Sequence, residues 1–446
     1  MILKRGLGKT AAAIILFLSL APLLYPQGEI TFLKNPPVKR QLSNSLSVIY
    51  QKDDSSNTTV LHCVILGGKG AEPAGKKGLA YLTTRLMLEL PYRSKVQDLM
   101  KLASKTSMLC KIDYSHINVV CLSVSLDETL RITSEIIRKP LISGLRIGWI
   151  KKQMGYQREA EMDDPINVAF LSHRENLFGL TSYGGSVLGS EESLKEISRK
   201  DVENFYETHF NAANMTLVVS TDMEEGLIME ILEEYFAEFP PGQLIEPSQR
   251  TFPPPEAKET SIEKETEQTL VSVSYLLPKL SQQNFTLAFM TDILLGKGIH
   301  SRLWPLRAKE KLAYNVNSRM DYLIDGGILE AYLETDSEKQ ERALTALKDI
   351  LNNLCMNGVT AEELEVTKIN ARCHFLRENE TKEGRVQNMD FFEATGLGYK
   401  FINTFFGQVE STTLEELNQY LRDVLNPERS IVVTVGPKKE SEKSRG

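Results

Sequence analysis

The chain has 446 residues, enough for more than one hydrophobic core, and its 41% hydrophobic and 25% charged residues are ordinary for a folded globular protein. A formal net charge of −7, with no basic tract beyond the N-terminus, removes the electrostatic basis for a nucleic-acid partner. The five cysteines form neither a disulfide framework nor a Cys-x-x-Cys pair.

Lys4, Arg5 and Lys9 precede an apolar run from Ala11 to Leu24 that only Ser19 and Pro22 interrupt. A basic head before an apolar stretch too short to span a bilayer predicts a secretory signal over residues 1–28. The mature protein is then exported, periplasmic or secreted, and meets a membrane only if this segment stays uncleaved. Next, Thr59–Leu66 predicts a strand, followed by the glycine-rich stretch Gly67–Gly78. Gly70 and Gly75-Lys76 have Walker A spacing, but Lys77 stands where a Ser or Thr hydroxyl must meet magnesium, so the nucleotide reading fails. Ile117–Val124 predicts a second strand, running into Asp127 as an acidic cap and an amphipathic helix over Glu128–Arg138. Cys63 and Cys121 fall in strand-like runs and read as buried thiols, while a Cys110–Cys121 bridge across a hairpin is the alternative in an oxidising compartment.

Pro240-Pro241-Gly242 and Pro253-Pro254-Pro255 mark an extended linker, because proline removes backbone donors and resists helix. With the charged run that follows, the linker is assigned to residues 241–266, between a first lobe at 29–240 and a second at 267–438; residues 439–446 are a charged tail. The two lobes echo each other. Gly327–Leu333, Asp336 and Glu338–Leu354 repeat the order of strand, acidic cap and helix seen in the first lobe. FYETHFNAANMTLVVSTD (Phe205–Asp222) likewise resembles YLRDVLNPERSIVVTVGP (Tyr420–Pro437). The pattern predicts an α+β fold of two similar lobes, each a mostly antiparallel sheet covered by helices.

AEPAGKKGLAYLTTRLMLELPYRS (Ala71–Ser94) resembles the signature of the pitrilysin/insulinase-type metallopeptidases, the family of the mitochondrial processing peptidases. In active members a helix there carries His-x-x-Glu-His, two zinc ligands around a general base, and a downstream Glu completes the site. The resemblance puts Tyr81 and Arg85 at the ligand positions, Thr84 at the base and, through QREAEMDDP (Gln157–Pro165), Gln157 at the last ligand. All four positions have changed, and a cation at Arg85 opposes a divalent metal besides. No zinc is therefore expected in this chain, and none of its six histidines forms a close pair at helical spacing that would supply another site; they read as dispersed.

Ser182–Val219 and Leu294–Val316 extend the resemblance over nearly the whole chain after the signal. In paired bacterial members one subunit carries zinc and its companion an Arg and a Tyr in the second lobe, which fall here on Arg307 and Tyr314, seven residues apart. Arg is a fixed fork of donors suited to a peptide carboxylate or carbonyl, and a Tyr hydroxyl can donate to an oxygen that becomes negative. Composition alone reads Arg307 as part of a solvated basic helix with Arg302, Lys309 and Lys311, and Tyr314 as a packing residue. The resemblance instead implies a non-catalytic, substrate-binding subunit that holds peptides or unfolded segments for a homologous zinc-bearing partner. Its rival is a purely structural or binding subunit of an envelope complex, descended from a peptidase.

Overall fold

Two sheets organise the chain in the computed structural model, which describes residues 33–88, 93–179, 181–247 and 249–438. The inferred signal and the charged tail lie outside the described residues. The first sheet contains β1 (Val38–Gln41), β2 (Ser47–Lys52), β3 (Thr58–Leu66), β4 (Lys105–Cys110), β5 (Tyr114–Leu122) and β6 (Met215–Thr221), in the order β1-β2-β6-β3-β5-β4. The second contains β7 (Lys258–Glu263), β8 (Thr269–Leu277), β9 (Asn315–Leu323), β10 (Gly326–Thr335) and β11 (Ile431–Gly436), in the order β7-β11-β8-β10-β9. Every pairing is antiparallel except β2 with β6 and β7 with β11. Helices cover both sheets, so the fold is the expected two-lobed α+β arrangement.

Each half closes by the same device. The helices Arg199–His209 and Leu414–Val424 lead into Asn turns, where Asn211 accepts from the Asn214 amide and Asn426 from the Glu428 amide. The chain then re-enters its sheet as β6 or β11, rich in β-branched residues that suit a pleated buried surface. Three local expectations need correction. Residues 258–263 are not linker but the edge strand β7, paired in parallel with β11. Asp127 lies inside the first turn of the helix Leu126–Arg138 and accepts from the Tyr235 hydroxyl at 3.0 Å, so it is no cap. Asp336 makes no capping bond either; its carboxylate is taken by Tyr314 and Lys339.

The halves exchange helices. Pro165–Phe178, from the first half, packs on β8, β10 and β11, while Lys382–Ala394, from the second, packs on β3 and β6. The cause is legible in β3, which is buried along both faces. Leu61, Cys63 and Ile65 join a core of first-half residues, whereas Val60 and Val64 join the core built by the second half. Alternation along a strand sends successive residues to opposite faces, so one face needs a cover from elsewhere in the chain. The exchanged helices end alike, each near a glycine at positive φ. His173 and Asp390 each stand six residues before a glycine at positive φ, Gly179 (60°) and Gly396 (85°). Each is buried against the sheet of the other half.

Candidate functional site

The helix Leu79–Leu86 packs against Gly144–Asp163, and together they carry the four positions that the family resemblance assigns to a metal site. Tyr81 donates its hydroxyl to Gln157 Oε1 at 2.8 Å, bridging the two helices. Thr84 is buried, and its hydroxyl is committed to the Ala80 carbonyl one turn back at 2.9 Å. Burial pushes the Tyr81 phenol up, partly offset by its bond to Gln157 and by the charge of Arg85. The four side chains thus present a neutral hydrogen bond, a spent hydroxyl and a guanidinium, which offer neither a ligand set nor a base to activate water.

The glycine-rich loop before this helix is not a phosphate cradle. Glu72 Oε1 accepts from the amides of Gly78 (3.0 Å) and Ala80 (2.9 Å), so a carboxylate already occupies the helix N-terminus where a phosphate would sit. Burial pushes the Glu72 carboxyl up to about 8. Lys69 is buried with its ammonium on the carbonyls of Ser182 (2.9 Å) and Gly184, and Lys76 pairs with Asp201 at 3.1 Å and the Glu196 carbonyl.

Arg307 ends the short helix Trp304–Ala308 and lies over the Trp304 ring, 5.3 Å from its centroid. Tyr314 precedes β9; it is 54% exposed, and its hydroxyl donates to Asp336 Oδ1 at 2.8 Å. That carboxylate holds the Tyr314 phenol above its ordinary range, so the hydroxyl is a donor at neutral pH. The two side chains therefore have separate partners. Neither is packed in the core.

The cysteines are free thiols, and no Cys110–Cys121 bridge forms. Cys110 pairs with Ser115 at the turn end of the β4–β5 ladder, whereas Cys121 lies past its other end, opposite Thr59 on β3. Burial pushes Cys63 and Cys110 up to about 12, which keeps both thiols protonated and inert.

The expectation of dispersed histidines is overturned. His62 on β3 and His116 on β5 are diagonal neighbours across the ladder, with ring centroids 4.1 Å apart, and both meet Asp390 on the exchanged helix Lys382–Ala394. His62 shares strand parity with Val60 and Val64, so its inward direction toward the second half was readable. Asp390, 328 residues further along the chain, was not.

Residues 196–370 match a family model described as the Peptidase M16 inactive domain. The chain is 23% identical over 386 residues to the non-peptidase homolog YmxG of Helicobacter pylori, covering 84% of this chain and 88% of that protein. It is 23% identical over 278 residues to an uncharacterized zinc protease of Mycobacterium bovis, covering 60% of this chain and 62% of the relative. The crystal structure of a peptidase M16 inactive domain from Pseudomonas fluorescens has the same fold, with a TM-score of 0.82 at 20% identity over 91% of this chain and 99% of the other.

Proposed function

We propose that the chain is an inactive peptidase of the M16 type, the substrate-holding subunit of a two-chain zinc endopeptidase acting on peptides or unfolded segments. The observation that carries this reading is the fate of the metal site: the two helices that would position zinc remain, closed by the Tyr81–Gln157 hydrogen bond. Arg307 and Tyr314 meanwhile stay at the surface of the second half.

Arg307 binds the peptide as a fork of donors to a carboxylate or carbonyl. Tyr314 would turn from Asp336 to donate to the scissile carbonyl oxygen as it becomes negative, and a zinc held by the partner would supply the activation of water. Reconstitution with a zinc-bearing relative from the same genome, followed by steady-state kinetics on an unstructured peptide, tests the assignment. Tyr314→Phe should lower kcat by on the order of 100-fold with little change in KM, as for loss of one oxyanion donor. Arg307→Ala should instead weaken peptide binding by about 2–3 kcal/mol, the scale of a desolvated charge-assisted contact. Wild-type kinetics from both variants in an intact complex would leave the structural-subunit reading in their place.

A further inference from the structure

We propose that His62, His116 and Asp390 form a structural metal centre for zinc or a similar divalent transition ion, pinning the exchanged helix Lys382–Ala394 to the first sheet. His62 Nδ1 lies 2.5 Å from Asp390 Oδ2, and His116 Nδ1 lies 2.7 Å from the same oxygen. The three residues are 2%, 4% and 0% exposed. Only the first contact is a hydrogen bond. His116 Nδ1 stands beside that oxygen but makes no hydrogen bond. A buried ring nitrogen that makes no hydrogen bond is disfavoured, so its place at the centre of a convergent donor set needs a reason.

The equivalent position in the other half shows that the fold does not impose this arrangement. There, His173 is satisfied at both ring nitrogens, by the hydroxyls of Ser272 and Ser274, each at 2.7 Å. The first sheet instead presents two imidazoles to one carboxylate, a donor set that suits zinc. The Tyr114 hydroxyl donates to the other carboxylate oxygen, Oδ1, at 3.2 Å and fixes its orientation, as outer partners of metal ligands do. Around tetrahedral zinc with bonds of about 2.0–2.1 Å, ligand atoms stand about 3.3 Å apart. The donors must therefore spread by about 0.6–0.8 Å from the hydrogen-bonded arrangement. Binding takes a lone pair from each Nδ1, so the proton that His62 holds there toward Asp390 shifts to Nε2 of the neutral ring. Burial of all three donors keeps substrate from the centre, and with three of four tetrahedral ligands from the chain the fourth would be a water, loaded with the metal as the two halves close during folding.

The test is to refold the full chain from denaturant in zinc or in chelator, dialyse, and measure bound metal and thermal unfolding. The zinc-refolded chain should retain stoichiometric zinc and melt at a higher temperature than the chelator-refolded chain. His116→Gln should fold, retain no zinc and melt alike in both conditions. Gln157→Ala, at the vacated peptidase site, should retain zinc like wild type. Absence of retained zinc, or equal retention by His116→Gln, would overturn the proposal and leave the triad a hydrogen-bonded plug. If His116→Gln does not refold, X-ray absorption of the wild-type zinc decides: a nitrogen and oxygen shell with imidazole scattering supports the centre, and sulfur ligands contradict it.

Discussion

Tyr81 and Gln157 hold two helices together at the place where the family resemblance puts zinc ligands, and restoring the obvious residues does not rebuild a site there. In the triple variant Tyr81→His, Thr84→Glu, Arg85→His, Gln157 still supplies a neutral amide where a carboxylate ligand is needed. Thr84 is also buried, with its side chain turned to the helix backbone, so a Glu there starts from a desolvated position. We expect no chelator-sensitive peptide hydrolysis from this variant; turnover that a chelator abolishes would show that the surrounding site is intact. At this scale the sequence was informative because a motif of fixed spacing makes its own gaps visible. Glu72 was harder to anticipate. Its role as the carboxylate on the amides of Gly78 and Ala80 follows from a turn geometry that spacing does not encode.

The exchanged helices set the behaviour of the elements. Pro165–Phe178 brings Val168, Ala169, Leu177 and Phe178 into one core with Ile431, Val433 and Val435 of β11, and buries His173 among them. Burial, with Arg319 nearby as a like charge, pulls His173 down to about 3; Glu330 Oε1 stands 3.6 Å away but is itself paired with Arg319. The folded chain therefore refuses a proton that the unfolded chain binds below its ordinary value near 6.5. The contribution is fully present above that pH and is lost as pH falls toward 3, at up to about 1.4 kcal/mol per pH unit. Urea unfolding between pH 7 and pH 4 should show stability falling, with a shallower slope for His173→Gln; an unchanged slope would remove His173 as a cause. The elements themselves were legible in outline, since β5, β10 and the helices after them follow their apolar periods closely. Their exchange was not. A strand buried on both faces announces that a cover exists, but not which helix supplies it. The same limit hid β7, whose exposed, charged residues resemble linker until β11 pairs with them.

Across the whole molecule, long-range polar contacts reinforce the exchange. Lys382 donates to the carbonyls of Ser56 and Thr58, both at 2.7 Å, and Arg385 pairs with Asp53, clamping the start of the second-half helix onto the first sheet. Asp113 accepts from Tyr183 at 2.5 Å and from the Ile324 amide at 2.9 Å, joining the halves at the opposite side of β5. Such cross-links favour a fixed relation between the vacated site and the surface that carries Arg307 and Tyr314. A subunit of this kind supplies position and no nucleophile. The most direct test is a peptidase assay on the purified chain, on a zinc-bearing relative from the same genome, and on the two combined, with an unstructured peptide as substrate. No turnover is expected from the chain alone, and a kcat/KM for the combination well above that of the relative alone, lost when the chain carries Tyr314→Phe. Turnover by the isolated chain, or no gain on combination despite complex formation, would exclude the substrate-holding role.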